Sequence, residues 1–132
     1  MKGLGSALQR SLEAGSVTVT AEVMPPRGGD PSHALAMAEG MRGWVQAINV
    51  TDGSRAVMRM NSVAVCRLLL DAGLEPVLQM AGRDRNRIAL QADLLGAHAL
   101  GIRNLLCLTG DPVQAGDQPH ARPVHELSLI HI

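Results

Sequence analysis

The sequence has no Phe and no Tyr, and Trp44 is its one aromatic residue of the larger kind. A core must therefore come from Leu, Val, Ile, Ala and Met, and a flat cofactor would have to stack on aliphatic side chains or outside this chain. Net charge is missing as well: twelve basic and twelve acidic residues cancel. That removes the electrostatic footprint of a protein that binds nucleic acid or an anionic membrane. The sequence contains no apolar run of about eighteen residues and no basic-then-apolar leader, so a soluble, cytoplasmic protein is expected. Cysteine is scarce. Cys66 and Cys107 sit inside apolar stretches and read as reduced, buried core thiols. Neither GxGxxG nor GxxxxGK[ST] occurs, which argues against two common nucleotide-binding loops. His120 and His125 have no Cys or carboxylate partner at metal-ligand spacing, so no metal is expected; His33 and His98 lie within helical patterns and read as surface or filler.

What is present alternates between two periods. A chain of 132 residues suits one domain by size. "LGSALQRSLEAG" reads as a short leading helix closed by Gly15. "SVTVTAEV" alternates cleanly, with Val17, Val19, Ala21 and Val23 on one face and Thr18, Thr20 and Glu22 on the other. "DPSHALAMAEGMRG" is a helix with Asp30 as N-cap and Pro31 in the first turn. "WVQAINV" is a second strand, followed by the polar loop "TDGSRAVMRM". "NSVAVCRLLLDAG" is a helix with Val63, Cys66, Leu69 and Leu70 near one face and Gly73 at its end. "EPVLQM" is a third strand. "DRNRIALQADLLGAHALG" is the longest helix, with Ile88, Ala92, Leu95 and Ala99 forming its apolar stripe and Gly101 closing it. "IRNLLCL" is a fourth strand before the loop "TGDPVQAGDQPHARPV". Strand-then-helix units with short connections predict a parallel sheet. Both an open doubly wound sheet and a closed eight-stranded βα barrel use that rhythm.

In either architecture, ligands gather at the C-terminal ends of the strands. The polar residues of this sequence fall there: Glu22 after strand one, Thr51-Asp52-Gly53-Ser54 after strand two, Gln79 in strand three, and Thr109-Gly110-Asp111 after strand four. Asp52-Gly53 and Gly110-Asp111-Pro112 are also ordinary turn sequences, and Gln79 also reads as a satisfied core amide. Glu22 is harder to explain structurally, because an unpaired buried carboxylate is costly and two prolines, Pro25 and Pro26, end the ladder just beyond it. It is either an edge residue in water or a group held at the mouth of a site. Arg83, Arg85 and Arg87 in "GRDRNR" read as a solvated face. Met24, Met37, Met41, Met58, Met60 and Met80 read as packing residues.

"AEVMPPRG", "INVTDGSRA", "GRDRNRIALQADLLGAHALGIRNLLCLTGDP" and "GDQPHARPV" together resemble the methylenetetrahydrofolate reductases, in order from about Val17 to about Val124. The resemblance implies an α/β (β/α)8 TIM barrel carrying FAD. Such an enzyme passes hydride from NAD(P)H to 5,10-methylenetetrahydrofolate, giving 5-methyltetrahydrofolate in one-carbon and methionine metabolism. Its partners would be the folate substrate and, at full length, further copies of the chain. Glu22 matches the family's catalytic glutamate, which helps protonate the folate so that its five-membered ring opens. Asp111 matches an aspartate beside flavin and folate, where its charge favours a cationic iminium. Thr51, Asp52 and Ser54 align with a flavin-contacting loop. Gln79 falls where some members place a histidine, and Thr109 and Gly110 fall where the family's chain approaches the flavin.

Three departures qualify the match. Met80-Ala81-Gly82 stands where many relatives have Leu-Thr-Cys, and Val23-Met24 where a Phe pair is common. The resemblance also ends near the fourth loop. The expectation is that residues 1–132 form the N-terminal half of a barrel, from an incomplete reading frame whose tail, 125–132, is foreign to the gene. Such a half would be inactive alone. The alternatives are a relative that takes electrons from a partner subunit, and a catalytically silent half-barrel that binds a partner or itself.

Overall fold

The computed structural model describes residues 5–124 and 126; the tail expectation, and His125 with it, falls almost wholly outside them. The chain builds an α/β fold around a four-stranded parallel sheet in the sequential order β1-β2-β3-β4. The strands are β1 (Thr20–Val23), β2 (Ala47–Val50), β3 (Pro76–Ala81) and β4 (Asn104–Leu108). Helices α1 (Ala7–Glu13), α2 (Ser32–Gly40), α3 (Ser62–Asp71) and α4 (Arg87–Ala99) precede and connect them.

Side-chain alternation along each strand decides the layering. Val23, Val50, Leu78 and Leu105 are successive partners in the register, so they share one face. On that face α2, α3 and α4 contribute Ala38, Val65, Cys66, Leu69 and Ala97 to one core with Val23, Ile48, Val50, Leu78 and Met80. A doubly wound sheet would carry helices on both faces; here these three connecting helices share one. The opposite face holds Glu22, Asn49, Val77, Gln79 and Leu106. Near its N-terminal end Ser6, which caps α1 by accepting from the Gln9 N–H, also donates to Asn104 Oδ1 at 2.6 Å.

Several sequence expectations change. β1 begins only at Thr20, and Val17 and Val19 stand 88% and 47% exposed, because at that edge no strand lies beyond to pair with or cover them among the described residues. The stripe Ile88-Ala92-Leu95-Ala99 faces outward, with Ile88 78% exposed. α4 instead packs through Ala97 and Leu90, since a helix with apolar residues on two sides takes the face its connections present to the sheet. Met24, Met37 and Met58 are exposed, leaving Met41, Met60 and Met80 as the packing methionines. Pro31, not Asp30, occupies the N-cap position of α2, although Asp30 Oδ1 accepts the Ser32 N–H at 3.0 Å.

The cysteines also separate. Cys66 is buried but Cys107 is exposed on the free edge strand, contrary to the expectation of two core thiols. Burial pushes the Cys66 thiol up to about 12, so it stays protonated at mildly alkaline pH, and a thiol in that state is a poor nucleophile. Alkylation of the native protein with iodoacetamide should therefore label Cys107 and spare Cys66, with both labelled after denaturation; mass spectrometry of the peptides reads the difference.

Candidate functional site

The C-terminal ends of the strands carry the polar groups, and they divide into those left available and those used by the fold. On the face opposite the three connecting helices, Gln79 Nε2 donates to Glu22 Oε2 at 3.2 Å across the intervening β2. Gln79 is buried and Glu22 is exposed, so the amide orients a carboxylate that still reaches solvent. Pro25 is fully buried, and its carbonyl and that of Pro26 accept from Arg59 NH1 at 3.0 Å and the Met60 N–H at 2.8 Å. The two prolines thus turn the chain off the sheet and dock it on the loop after β2. Thr51 follows β2, is 4% exposed, and its Oγ1 has no hydrogen-bond partner. An orphaned buried hydroxyl is costly, and it marks a place where a ligand's polar atom would be favourable.

Asp52 behaves differently. Its Oδ2 accepts the Ala81 N–H at 2.8 Å and Arg85 NH1 at 2.5 Å, and Arg85 Nε pairs with Asp93 at 2.7 Å. Burial alone would push the Arg85 guanidinium down, but the Asp52 and Asp93 carboxylates outweigh it and hold it above its ordinary value. Arg83 is 6% exposed, forms a two-pronged pair with Asp84, and donates to the Asp111 carbonyl at 3.0 Å. Hydrogen bonding to Asp84 raises its pKa. The "GRDRNR" run is therefore no solvated face: Arg83 and Arg85 pin the loops, and only Arg87 of the three is exposed.

The loop after β4 straps across the rim. Asp111 Oδ2 accepts the Arg55 N–H at 2.7 Å, and Asp117 accepts the Met58 N–H at 2.9 Å and Arg27 NH2 at 2.7 Å. The Thr109 carbonyl accepts the Arg83 N–H at 3.1 Å. Gly110, at φ +95°, packs where a Cβ would lie 3.0 Å from that of Arg83. Ser54 opens a single 3-10 turn in which Arg55 and Ala56 take positive φ values of 59° and 56°. Each such residue costs about 1–2 kcal/mol, and the strap is what holds them there. The Met58 N–H and Arg27 also hold the Asp117 carboxyl below its ordinary range.

Gly116 sits against the Ala56 carbonyl, so close that a Cβ there would fall 1.8 Å from the oxygen. Gly116→Ala must push the strap off the strained turn. A destabilisation of about 1–3 kcal/mol is expected, as for other overpacked sites, and a thermal melt by circular dichroism measures it.

Glu22, Gln79 and Thr51 thus share the face opposite the connecting helices, or its rim, with free or orphaned polar atoms. Asp52 and Asp111 are engaged by backbone amides and, for Asp52, by Arg85. Ser54, Thr109 and Gly110 serve the loop's conformation. The residues missed by sequence reasoning are Arg27, Arg55, Asp93 and Asp117. Arg27, Arg55 and Asp117 find their partners 56 to 90 residues away, and Asp93 meets Arg85 eight residues before it across a change of element.

Such a molecule belongs to the class of α/β proteins that present a polar rim at the carboxyl ends of a parallel sheet. More specifically, the chain belongs to the methylenetetrahydrofolate reductase family: the family model described as methylenetetrahydrofolate reductase matches residues 7–131. Membership places it in a family of flavin-dependent, folate-related reductases. A comparison with curated proteins finds no match. Among the described residues no helix is long and apolar enough to cross a membrane.

Proposed function

We propose that the four strands and the three helices that connect them are half of an eight-stranded βα barrel whose mouth reduces 5,10-methylenetetrahydrofolate to 5-methyltetrahydrofolate with FAD and NAD(P)H, in the cytoplasm. The observation that carries the reading is the Glu22–Gln79 pair on the face opposite the connecting helices, in a sheet whose strands run in sequential parallel order. A barrel is the architecture in which such a face becomes an interior and its strand ends a mouth.

The residues present fit a flavin in part. Thr51 Oγ1, buried and without a partner, offers a hydrogen bond, and Gln79 offers the remaining capacity of its amide. Asp52 does not fit a contact role, because the Ala81 N–H and Arg85 already engage it. Bound FAD would supply hydride transfer between NAD(P)H and the folate. The chain's own residues do the rest. Glu22, which reaches solvent on that face, would supply the proton that lets the folate ring open. Gln79 fixes the carboxyl group through Oε2. The Asp111 carboxylate sets negative charge at the rim, favouring a cationic folate, while its backbone contact to Arg55 keeps it in place.

A second reading, a half-barrel that binds a partner or itself without catalysis, is favoured by one observation. Leu105 and Leu106 on the free edge strand are each 42% exposed, and Leu95 of α4 is 74% exposed. Apolar faces and open edges of this kind promote association. The assay that decides compares this chain with a form supplying four further βα units, each given FAD, NAD(P)H and methylenetetrahydrofolate. Methyltetrahydrofolate from the completed form and none from this chain is the expected result. No product from the completed form would overturn the reductase reading.

A further inference from the structure

A cavity of about 260 Å³ lies behind the strap, lined among others by Asp52, Met58, Arg59, Arg83, Asp84 and Gln118. Its lining carries two carboxylates, Asp52 and Asp84, and two guanidiniums, Arg59 and Arg83. Asp84 is held by both prongs of Arg83, and Asp52 by Arg85, which lies outside the lining. Arg83 is further spent on the Asp111 and Gly53 carbonyls. Arg59 remains. Among the described residues it pairs with no carboxylate; its NH1 donates to the Pro25 carbonyl, and its Nε is buried with no partner at all. A guanidinium presents its donors as a planar fork that matches two oxygens of a carboxylate or phosphate, and an unmatched buried donor of a charged group is costly.

We infer that this cavity is a small-oxyanion site in which Arg59 is the principal ligand and Gln118 a neutral neighbour. Size sets the ligand class. A water occupies about 30 Å³ of liquid and a drug-sized molecule needs roughly 300–1,000 Å³, so the space suits a phosphate or a carboxylate group. None of its lining residues is Glu22, Thr51, Gln79 or Asp111, on which the proposed reductase reading rests, although Arg83 holds the Asp111 carbonyl.

The test is calorimetric titration of the 132-residue chain with inorganic phosphate and, separately, acetate, against potassium chloride at equal ionic strength. Saturable binding over the chloride blank is expected, weakened roughly 10–100-fold by Arg59→Gln, the range of one charge-assisted hydrogen-bonded pair. Tighter binding of phosphate would assign a phosphoryl ligand, and tighter binding of acetate a carboxylate. Arg59→Gln also breaks the Pro25 contact, so the unaltered chain supplies an independent readout: the Arg59 Nε–H resonance must move as phosphate is added. No binding above chloride, equal binding by the variant, or an unmoved Nε–H resonance would overturn the site.

Discussion

Glu22→Gln in the completed barrel is expected to lower turnover by roughly 10²–10⁴-fold, the usual contribution of a positioned general acid. The substitution is nearly isosteric, and the introduced amide keeps a carbonyl oxygen to accept from Gln79 Nε2, now 3.2 Å from Glu22 Oε2. Because the side chain is exposed and outside the apolar core, folding should be unaffected. The loss therefore isolates the proton. A steady-state assay that follows methyltetrahydrofolate, paired with a thermal melt, separates this from damage to the fold. Unchanged turnover in a folded variant would remove Glu22 from the chemistry.

Asp52→Ala should instead act on stability, by about 3–5 kcal/mol, the cost of leaving a buried partner charge behind. Arg85 and Asp52 are each 11% exposed at the side chain, and Asp52 also accepts the Ala81 N–H at 2.8 Å. Asp93 remains to pair with Arg85, which pulls the cost towards the lower end. Against a typical total of about 5–15 kcal/mol this is a large fraction, and a melting point lower by about 10–20 °C is expected. Asp52→Asn keeps an acceptor for the Ala81 N–H and should lose less. Were Asp52 a flavin ligand and nothing more, both variants would melt near the wild type while binding flavin poorly. Thermal denaturation followed by circular dichroism distinguishes the two roles.

That contrast also marks how far the sequence was legible. The alternation of strand and helix was written in periods of two and about 3.6, and the four strands fall on the segments expected, with β3 running one residue further, to Ala81. Strand one is shorter than the period suggests: Val17 and Val19 keep the alternation but stand exposed, and Val19 meets Gln46 partly through that residue's side chain. α4 has apolar residues on both sides, so periodicity alone could not choose between the Ile88 stripe and the Leu90–Ala97 face. The rim was legible as a set of residue types after each strand. Its division of labour was not: whether Asp52 serves a ligand or Arg85 depends on a contact spanning 33 residues, and the strap's hold on Arg55 spans 56.

The measurement that goes most directly to the flavin site is a titration of FAD with the purified chain, followed by quenching of flavin fluorescence, for the wild type and for Thr51→Val. The expected result is saturable quenching by the wild type, weakened roughly 2–10-fold in the variant by loss of one hydrogen bond of about 0.5–1.5 kcal/mol. FAD that stays free in the presence of the folded wild-type chain, or binds both proteins equally, would contradict the assignment of this rim as a flavin site with Thr51 as a ligand.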